Sequence, residues 1–267
     1  MATKNNLKIT LVQTKLHWEN IDANIEMFDE QLKGIKKSST HLIVLPEMFT
    51  TGFTMNAAEN FSEMNGAAIM WMKKMAAKKN CAVCGSLIIK EDGKYFNRFV
   101  WIDAEGKIQC YDKRHLFRMA NEHLTYTAGN DHLVVELNGW KIMPQVCYDL
   151  RFPAWSRNTN DNGKMKYDLL LYVANWPERR KQAWKQLLIA RAIENQCYCI
   201  GLNRVGKDGK GINYTGDSAV IDFLGNNISK IAPSRSSITQ TTIELSPLQK
   251  YRNDFPAYMD ADVFELK

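Results

Sequence analysis

An α/β fold follows from three patterns in this 267-residue chain. Short apolar runs recur, each closed by a turn signal. Amphipathic stretches with helical spacing lie between several of them. No Pro/Gly/Ser-rich linker and no internal repeat divides the chain. Runs that stay apolar, rather than alternating strictly, suit strands covered on both faces. The expectation is one continuous domain over 1–267, with sheets covered by helices.

The elements can be taken in order. Residues 7–13 alternate and then run apolar, as a strand does. Residues 20–36 place Ile21, Ile25, Phe28 and Leu32 on one helical face. Residues 41–45 form a short apolar strand stopped by Pro46. Residues 67–79 repeat the helical spacing with Ile69, Met72, Met75 and Ala76. Strands over 81–89 and 96–102 flank Glu91-Asp92-Gly93-Lys94, a strong hairpin signal. A strand-like stretch leads into Lys113. Residues 133–137 and 141–147 lie on either side of an Asn138-Gly139 turn. Further strands are expected over 169–174, 198–203, 219–223 and 241–245. Between them, 181–196 is helical, with Trp184, Leu187, Leu188, Ala192 and Ile193 on its buried face. Residues 252–267 read as an irregular aromatic tail that packs on the domain or on a neighbouring subunit.

Composition narrows the class. An apolar fraction of 45% with 24% charged residues suits a soluble globular protein, and seven Trp and eleven Phe permit a large rigid core. The formal charge of +6 is scattered in short clusters such as Lys36-Lys37, Lys78-Lys79 and Arg179-Arg180-Lys181. These read as solvated surface, so no nucleic-acid partner is expected. The first residues contain no apolar leader, and no stretch reaches membrane-span length, so a cytoplasmic protein without membrane contact is expected. Six cysteines in such a chain should be free thiols, mostly buried.

No metal or cofactor is expected. Cys81 and Cys84 point to opposite faces of a strand. The five histidines show no HxH or HExxH spacing, and neither a GxGxxG nor a Walker loop is present. The glycine-containing segment 206–211 reads as a plain loop.

Three polar residues occupy punctuated positions. Glu47 leaves the end of an apolar strand behind Pro46, where α/β sheets gather functional groups. Apolar neighbours make its carboxyl ready to take up and return a proton. Lys113 follows a strand in a polar turn, where an ammonium can stabilise an oxyanion or a thiolate. Cys147 ends a strand just before Asp149, Arg151 and Pro153, and its thiol is a possible nucleophile. The Tyr148 N–H would then lie beside the attacked carbonyl. His115 leaves a papain-like Cys/His pair open as a rival.

Together the segments Leu45-Pro46-Glu47, 112–117 and 147–153 resemble the nitrilase (carbon–nitrogen hydrolase) superfamily. The resemblance extends to Glu122 ahead of Gly129, to Asn175-Trp176-Pro177 and to 191–196. Longer strings at 45–53, 111–119 and 172–177 are similar to its bacterial ω-amidase branch. The resemblance implies a four-layer α-β-β-α sandwich that commonly pairs as a homodimer. It implies Glu47, Lys113 and Cys147 as catalytic residues, Glu122 in support and the Tyr148 N–H at the oxyanion. The implied reaction is hydrolysis of the terminal amide of 2-oxoglutaramate or 2-oxosuccinamate through a cysteine thioester. Arg151 is the first choice for the substrate carboxylate, and Phe117, Tyr126, Asn175 and Trp176 are expected to line the pocket. The alternatives are a carbamoyl-amide or aliphatic amide hydrolase, a nitrile hydrolase, or a non-catalytic binding protein.

Overall fold

Two sheets lie face to face in the computed structural model, which describes residues 5–161, 164–262 and 265–266. The first half of the chain runs β1 (Asn6–Gln13), α1 (Ile21–Leu32), β2 (Leu42–Val44), α2 (Ala57–Asn60), α3 (Ala67–Lys79), β3 (Ala82–Glu91), β4 (Lys94–Ile102) and β5 (Ile108–Asp112). The middle contains α4 (Glu122–Thr125), β6 (Val135–Leu137), β7 (Trp140–Val146), a small hairpin of β8 (Asn160–Asp161) and β9 (Lys164–Met165), β10 (Leu169–Ala174) and α5 (Lys181–Glu194). The rest contains β11 (Tyr198–Asn203), β12 (Val205–Lys207), β13 (Asn213–Thr215), β14 (Ala219–Ile221), β15 (Ser237–Glu244) and α6 (Leu245–Asp254). One sheet has the order β15-β1-β2-β3-β4-β5, and the other β14-β11-β10-β7-β6.

Strand alternation explains the layering. In the first sheet Leu7, Ile9, Leu11, Leu42, Val44, Cys84, Phe99 and Trp101 join Ile142, Val146 and the β10 residues in one core between the sheets. The alternate residues Val12, Ile43, Val83, Val100 and Ile102 face outward, onto Phe28 and Leu32 of α1 and Ile69, Met72 and Met75 of α3. Both faces are therefore covered, which is why these strands read as apolar runs. Cys81 and Cys84 fall in different cores, as strand geometry requires. On the far side α5 lays Trp184 and Leu188 against the second sheet. The arrangement is the four-layer α-β-β-α sandwich.

Both hairpin turns have the expected chemistry. Glu91 pairs with Lys94 and Leu137 with Trp140, with two residues between in each case. Asp92, Gly93, Asn138 and Gly139 all have positive φ, as a type I′ turn demands. The structure departs from expectation at the C-terminal end. Residues 252–254 are the last turn of α6 rather than irregular tail. Leu245, Leu248 and Arg252 are buried on one side of that helix. Arg252 is an anchor: it donates to Asp168 Oδ1 (2.7 Å), Gln196 O (2.8 Å) and Tyr167 O (2.9 Å). Beyond it, the Gln196 side chain donates to Phe255 O (2.8 Å). The expected tail also includes residues 263, 264 and 267, which lie outside the described residues. No helix among the described residues is long and apolar enough to cross a membrane.

Phe99 is fully buried between the two sheets. Phe99→Ala should cost about 3–5 kcal/mol of stability, read as a lower denaturant midpoint with unchanged cooperativity.

Candidate active site

The polar groups converge where strands from both sheets end. Glu47 lies three residues beyond β2, Lys113 directly after β5, Cys147 directly after β7 and Asn175 directly after β10. The backbone is strained here. Cys147 has φ +46° and Met48, beside Glu47, has φ +42°. Such conformations cost about 1–3 kcal/mol each and persist where the surroundings hold them.

Asp149 holds the cysteine turn. It is fully buried. Oδ2 accepts from Tyr111 OH (2.8 Å) and Val146 N (3.0 Å), and Oδ1 accepts from His115 N (2.9 Å). Its Oδ1 also lies 2.8 Å from His115 Nδ1. His115 further stacks on Phe152, with ring centroids 3.7 Å apart. The imidazole is thus committed to the turn beneath the cysteine rather than to the sulfur, which disfavours the Cys/His pair. Cys147 opens a short 3-10 helix, Cys147–Arg151. The first N–H groups of any helix lack intrahelical partners, so the Tyr148 N–H is available beside the sulfur.

Lys113 sits between two carboxylates. Its ammonium is 3.0 Å from Glu47 Oε1 and 2.9 and 3.0 Å from the two Glu122 oxygens. All three side chains are fully buried. Asn97 of β4 donates to Glu47 Oε1 (2.8 Å) and to Glu122 Oε1 (3.2 Å). Ser86 donates to Asn97 Oδ1 (2.8 Å) and accepts from Met48 N (2.9 Å), which fixes the amide's orientation. From the second sheet, Asn175 N donates to Glu47 Oε2 (2.7 Å) and Asn175 Nδ2 donates to Glu47 O (2.6 Å). Phe117 N donates to Glu122 Oε2 (2.6 Å). Gly129 backs this arrangement: a Cβ there would lie 2.3 Å from Asp112 O, against the strand end that delivers Lys113.

The electrostatics follow. Burial alone would neutralise Lys113, but the fields of Glu122 and Glu47 outweigh it and hold the ammonium more firmly than in a free lysine. Burial raises the Glu122 carboxyl; Lys113 opposes this and Glu47 adds to it. Burial also pushes the Cys147 thiol well above its usual range, Glu47 reinforces the shift, and Lys113 offsets part of it. With both glutamates ionised the cluster already carries one net negative charge. A resting thiolate would add a second in a dry site. Passing the thiol proton to Glu47 leaves the total unchanged, so the sulfur is best ionised at the moment it attacks.

Cys147 and Lys113 open into a cavity of about 260 Å³. Phe117, Tyr148, Arg151, Asn175 and Trp176 line it, as expected for four of these and with the Tyr148 side chain in addition. Tyr126 does not. It is buried below the cavity, and its hydroxyl donates to Thr54 O (2.6 Å). Two segments read as plain surface also reach the wall: Arg179 and Arg180 from the basic cluster, and Asp208 and Lys210 from the glycine-containing loop. That loop is the turn of the β12–β13 hairpin, which folds back over the site. Asn97 and Ser86 belong to no motif. Their only sign in the sequence is a polar side chain within a strand whose neighbours are apolar.

Comparison with known proteins places these features in a family context. A model of the family "Carbon-nitrogen hydrolase" matches residues 8–253. The chain is 48% identical over 260 residues to the omega-amidase YafV of Escherichia coli K12, covering 97% of this chain and 98% of that one. It is 35% identical over 231 residues to the 2-oxoglutaramate amidase of Bacillus subtilis, covering 85% and 87%. The solved structure of XC1258 from Xanthomonas campestris, described as a CN-hydrolase superfamily protein with an arsenic adduct in the active site, superposes with a TM-score of 0.95. The two share 44% identity over 98% of this chain and 99% of that one.

Asn97→Ala should lower kcat by about 10–100-fold, because the donor shared by both carboxylates is worth about 1.5–3 kcal/mol. Steady-state kinetics beside a circular dichroism spectrum separates this loss from unfolding.

Proposed function

This chain belongs to the carbon–nitrogen hydrolase family, and on that footing we propose that it is an amidase for short 2-oxo dicarboxylic acid monoamides. The substrates are 2-oxoglutaramate and 2-oxosuccinamate, and the products are the 2-oxo dicarboxylic acid and ammonia. The observation that carries this reading is a buried thiol, ammonium and carboxylate at the base of a small cavity whose wall holds the Arg151 guanidinium. The volume lies just below the usual range for drug-sized ligands of about 300–1,000 Å³ and suits a small metabolite. The ω-amidase and 2-oxoglutaramate amidase relatives support the same substrate class.

The chemistry runs in two halves. Glu47 takes the proton from Cys147 as the sulfur attacks the amide carbon. The carbonyl π pair moves onto oxygen, where the Lys113 ammonium and the Tyr148 N–H receive the charge. The intermediate collapses, the C–N bond breaks, and nitrogen leaves as ammonia with the proton returned by Glu47. A thioester remains on Cys147. Water then attacks the thioester and gives a proton to Glu47. The second intermediate expels the sulfur, which recovers the proton from Glu47. Glu122, its two oxygens 2.9 and 3.0 Å from the Lys113 ammonium, keeps that ammonium aimed at the oxyanion. Arg151, its guanidinium over the Trp176 ring at 4.9 Å, receives the substrate carboxylate at the far end.

The working unit in this reading is one catalytic domain paired as a homodimer. Exposed apolar side chains support it: Ile193 near the end of α5, Leu224 in the turn after β14, whose next residue Gly225 lies against Ile193, and Phe255 directly after α6. Light scattering should return twice the 30.7 kDa chain mass, and a monomer mass would overturn the pairing.

Ammonia release from 2-oxoglutaramate, measured beside glutamine and a simple nitrile, tests the substrate. The oxo-amide should be turned over best; inactivity on it with turnover of another compound rejects the assignment. Cys147→Ser should abolish hydrolysis in a folded protein, and Glu47→Gln should cost about 10²–10⁴-fold in kcat.

A further inference from the structure

The cavity wall holds a second half-buried guanidinium that the chemistry above does not use. We propose that Arg180 is a specificity-determining residue that grips the 2-oxo acid end of the substrate together with Arg151 and so rejects the corresponding 2-amino acid amide. The proposal rests on the 2-oxo acid reading and deepens it.

Three observations point this way. First, both guanidiniums lie over aromatic rings. Arg151 lies over Trp176 at 4.9 Å and Arg180 over Phe117 at 5.0 Å. Cation–π attraction of this kind holds a guanidinium in place without using its N–H donors, which remain for an acceptor. Phe117 is in turn packed edge-on against Tyr148, ring centroids 4.9 Å apart, so this platform is tied to the nucleophile's own turn.

Second, neither guanidinium has a carboxylate partner among the described residues. The one acidic residue on the cavity wall is Asp208. Its Oδ1 accepts from Lys210 N and Ile212 N, both at 2.9 Å, and its Oδ2 accepts from Tyr214 OH at 2.9 Å. Its charge is spent on the hairpin turn. Burial first, then the charges of Arg179 and Arg151, disfavour the charged form of Arg180, opposed by Cys147. An anion placed between the two guanidiniums removes that penalty.

Third, the local turn does not need the Arg180 side chain. The Arg180 backbone N–H donates to Pro177 O (2.9 Å), and its carbonyl accepts from Trp176 Nε1 (2.8 Å). Both bonds survive any change beyond Cβ.

The chemical consequence concerns what stands beside the carboxylate. A 2-oxo acid presents a second acceptor oxygen to the paired cations. Glutamine presents an ammonium at the same carbon, which two guanidiniums repel, and like charges placed together are an effective means of rejection. A neutral amide or nitrile gains nothing from either arginine.

The test compares wild type, Arg180→Met and Arg180→Lys on 2-oxoglutaramate and on glutamine, with 2-oxoglutarate as a competitive inhibitor. Arg180→Met should raise KM for 2-oxoglutaramate and Ki for 2-oxoglutarate by about tenfold or more while kcat changes little. The preference for 2-oxoglutaramate over glutamine should shrink by a similar factor, and Arg180→Lys should recover part of it. Unchanged KM, Ki and preference in Arg180→Met would overturn the proposal. So would a fall in kcat alone, which marks a structural role. Failure of the substrate reading itself is visible separately, as a wild-type enzyme that leaves 2-oxoglutaramate intact while hydrolysing another amide.

Discussion

The buried ammonium of Lys113 is the interaction on which the site depends. Removing a lysine from water is costly, and it is tolerated here only because two carboxylates and their donors surround it. Those carboxylates in turn need Asn97, Asn175 and the Phe117 N–H to satisfy their remaining lone pairs. Each partner is therefore fixed by the others, and none has a rotamer to spare. Burial, reinforced by Glu47, holds the Cys147 thiol in its protonated form. In the proposed mechanism the proton moves within a cluster of constant charge, so little reorganisation of the surroundings accompanies it.

The sandwich exists, from the site's point of view, to bring two sets of strand ends together. Glu47 and Lys113 come from the sheet containing β2 and β5, and Cys147 and Asn175 from the sheet containing β7 and β10. The Asn175–Glu47 hydrogen bonds cross between the sheets over 128 residues of sequence. The sheet faces that meet here are packed with large side chains such as Trp101, Trp140 and Phe99. That packing sets the separation of the strand ends, and the Asp149 and Asn175 hydrogen bonds then hold the turns that follow them.

Much of this was legible in the sequence because burial on both faces leaves a strong imprint. The strands at 42–44 and 169–174 are short and wholly apolar, that at 198–203 is apolar up to Asn203, and Pro46 and the two Gly-containing turns mark where chains stop or reverse. Glu47, Lys113 and Cys147 stood out because each follows a strand within a recognisable segment. What stayed hidden depends on distance in the sequence. Asn97 sits mid-strand and gains meaning only when Glu47 and Glu122 arrive from elsewhere. Arg180 looks like part of any solvated basic cluster until its guanidinium meets the Phe117 ring and Trp176 Nε1 donates to its carbonyl. The helix at 245–254 was not expected at all: its start was read as the end of a strand and its last turn as tail, yet the Arg252 guanidinium is satisfied by Asp168 and two carbonyls. Tyr126 shows the converse error: an aromatic near the motif is bound to Thr54 beneath the cavity rather than in its wall.

The β12–β13 hairpin and the 176–180 turn share a property that the catalytic groups lack. Both hang from the ends of β10 and β11, and they furnish the distal cavity wall without supplying a proton donor or nucleophile. Part of the cavity wall is thus lodged apart from the proton-handling cluster, while Arg151 stays on the cysteine turn itself. Drift in these two loops can retune which acyl group enters while the proton-handling cluster stays untouched. A scaffold divided in this way is well suited to diversification, since a change of diet does not require a change of engine.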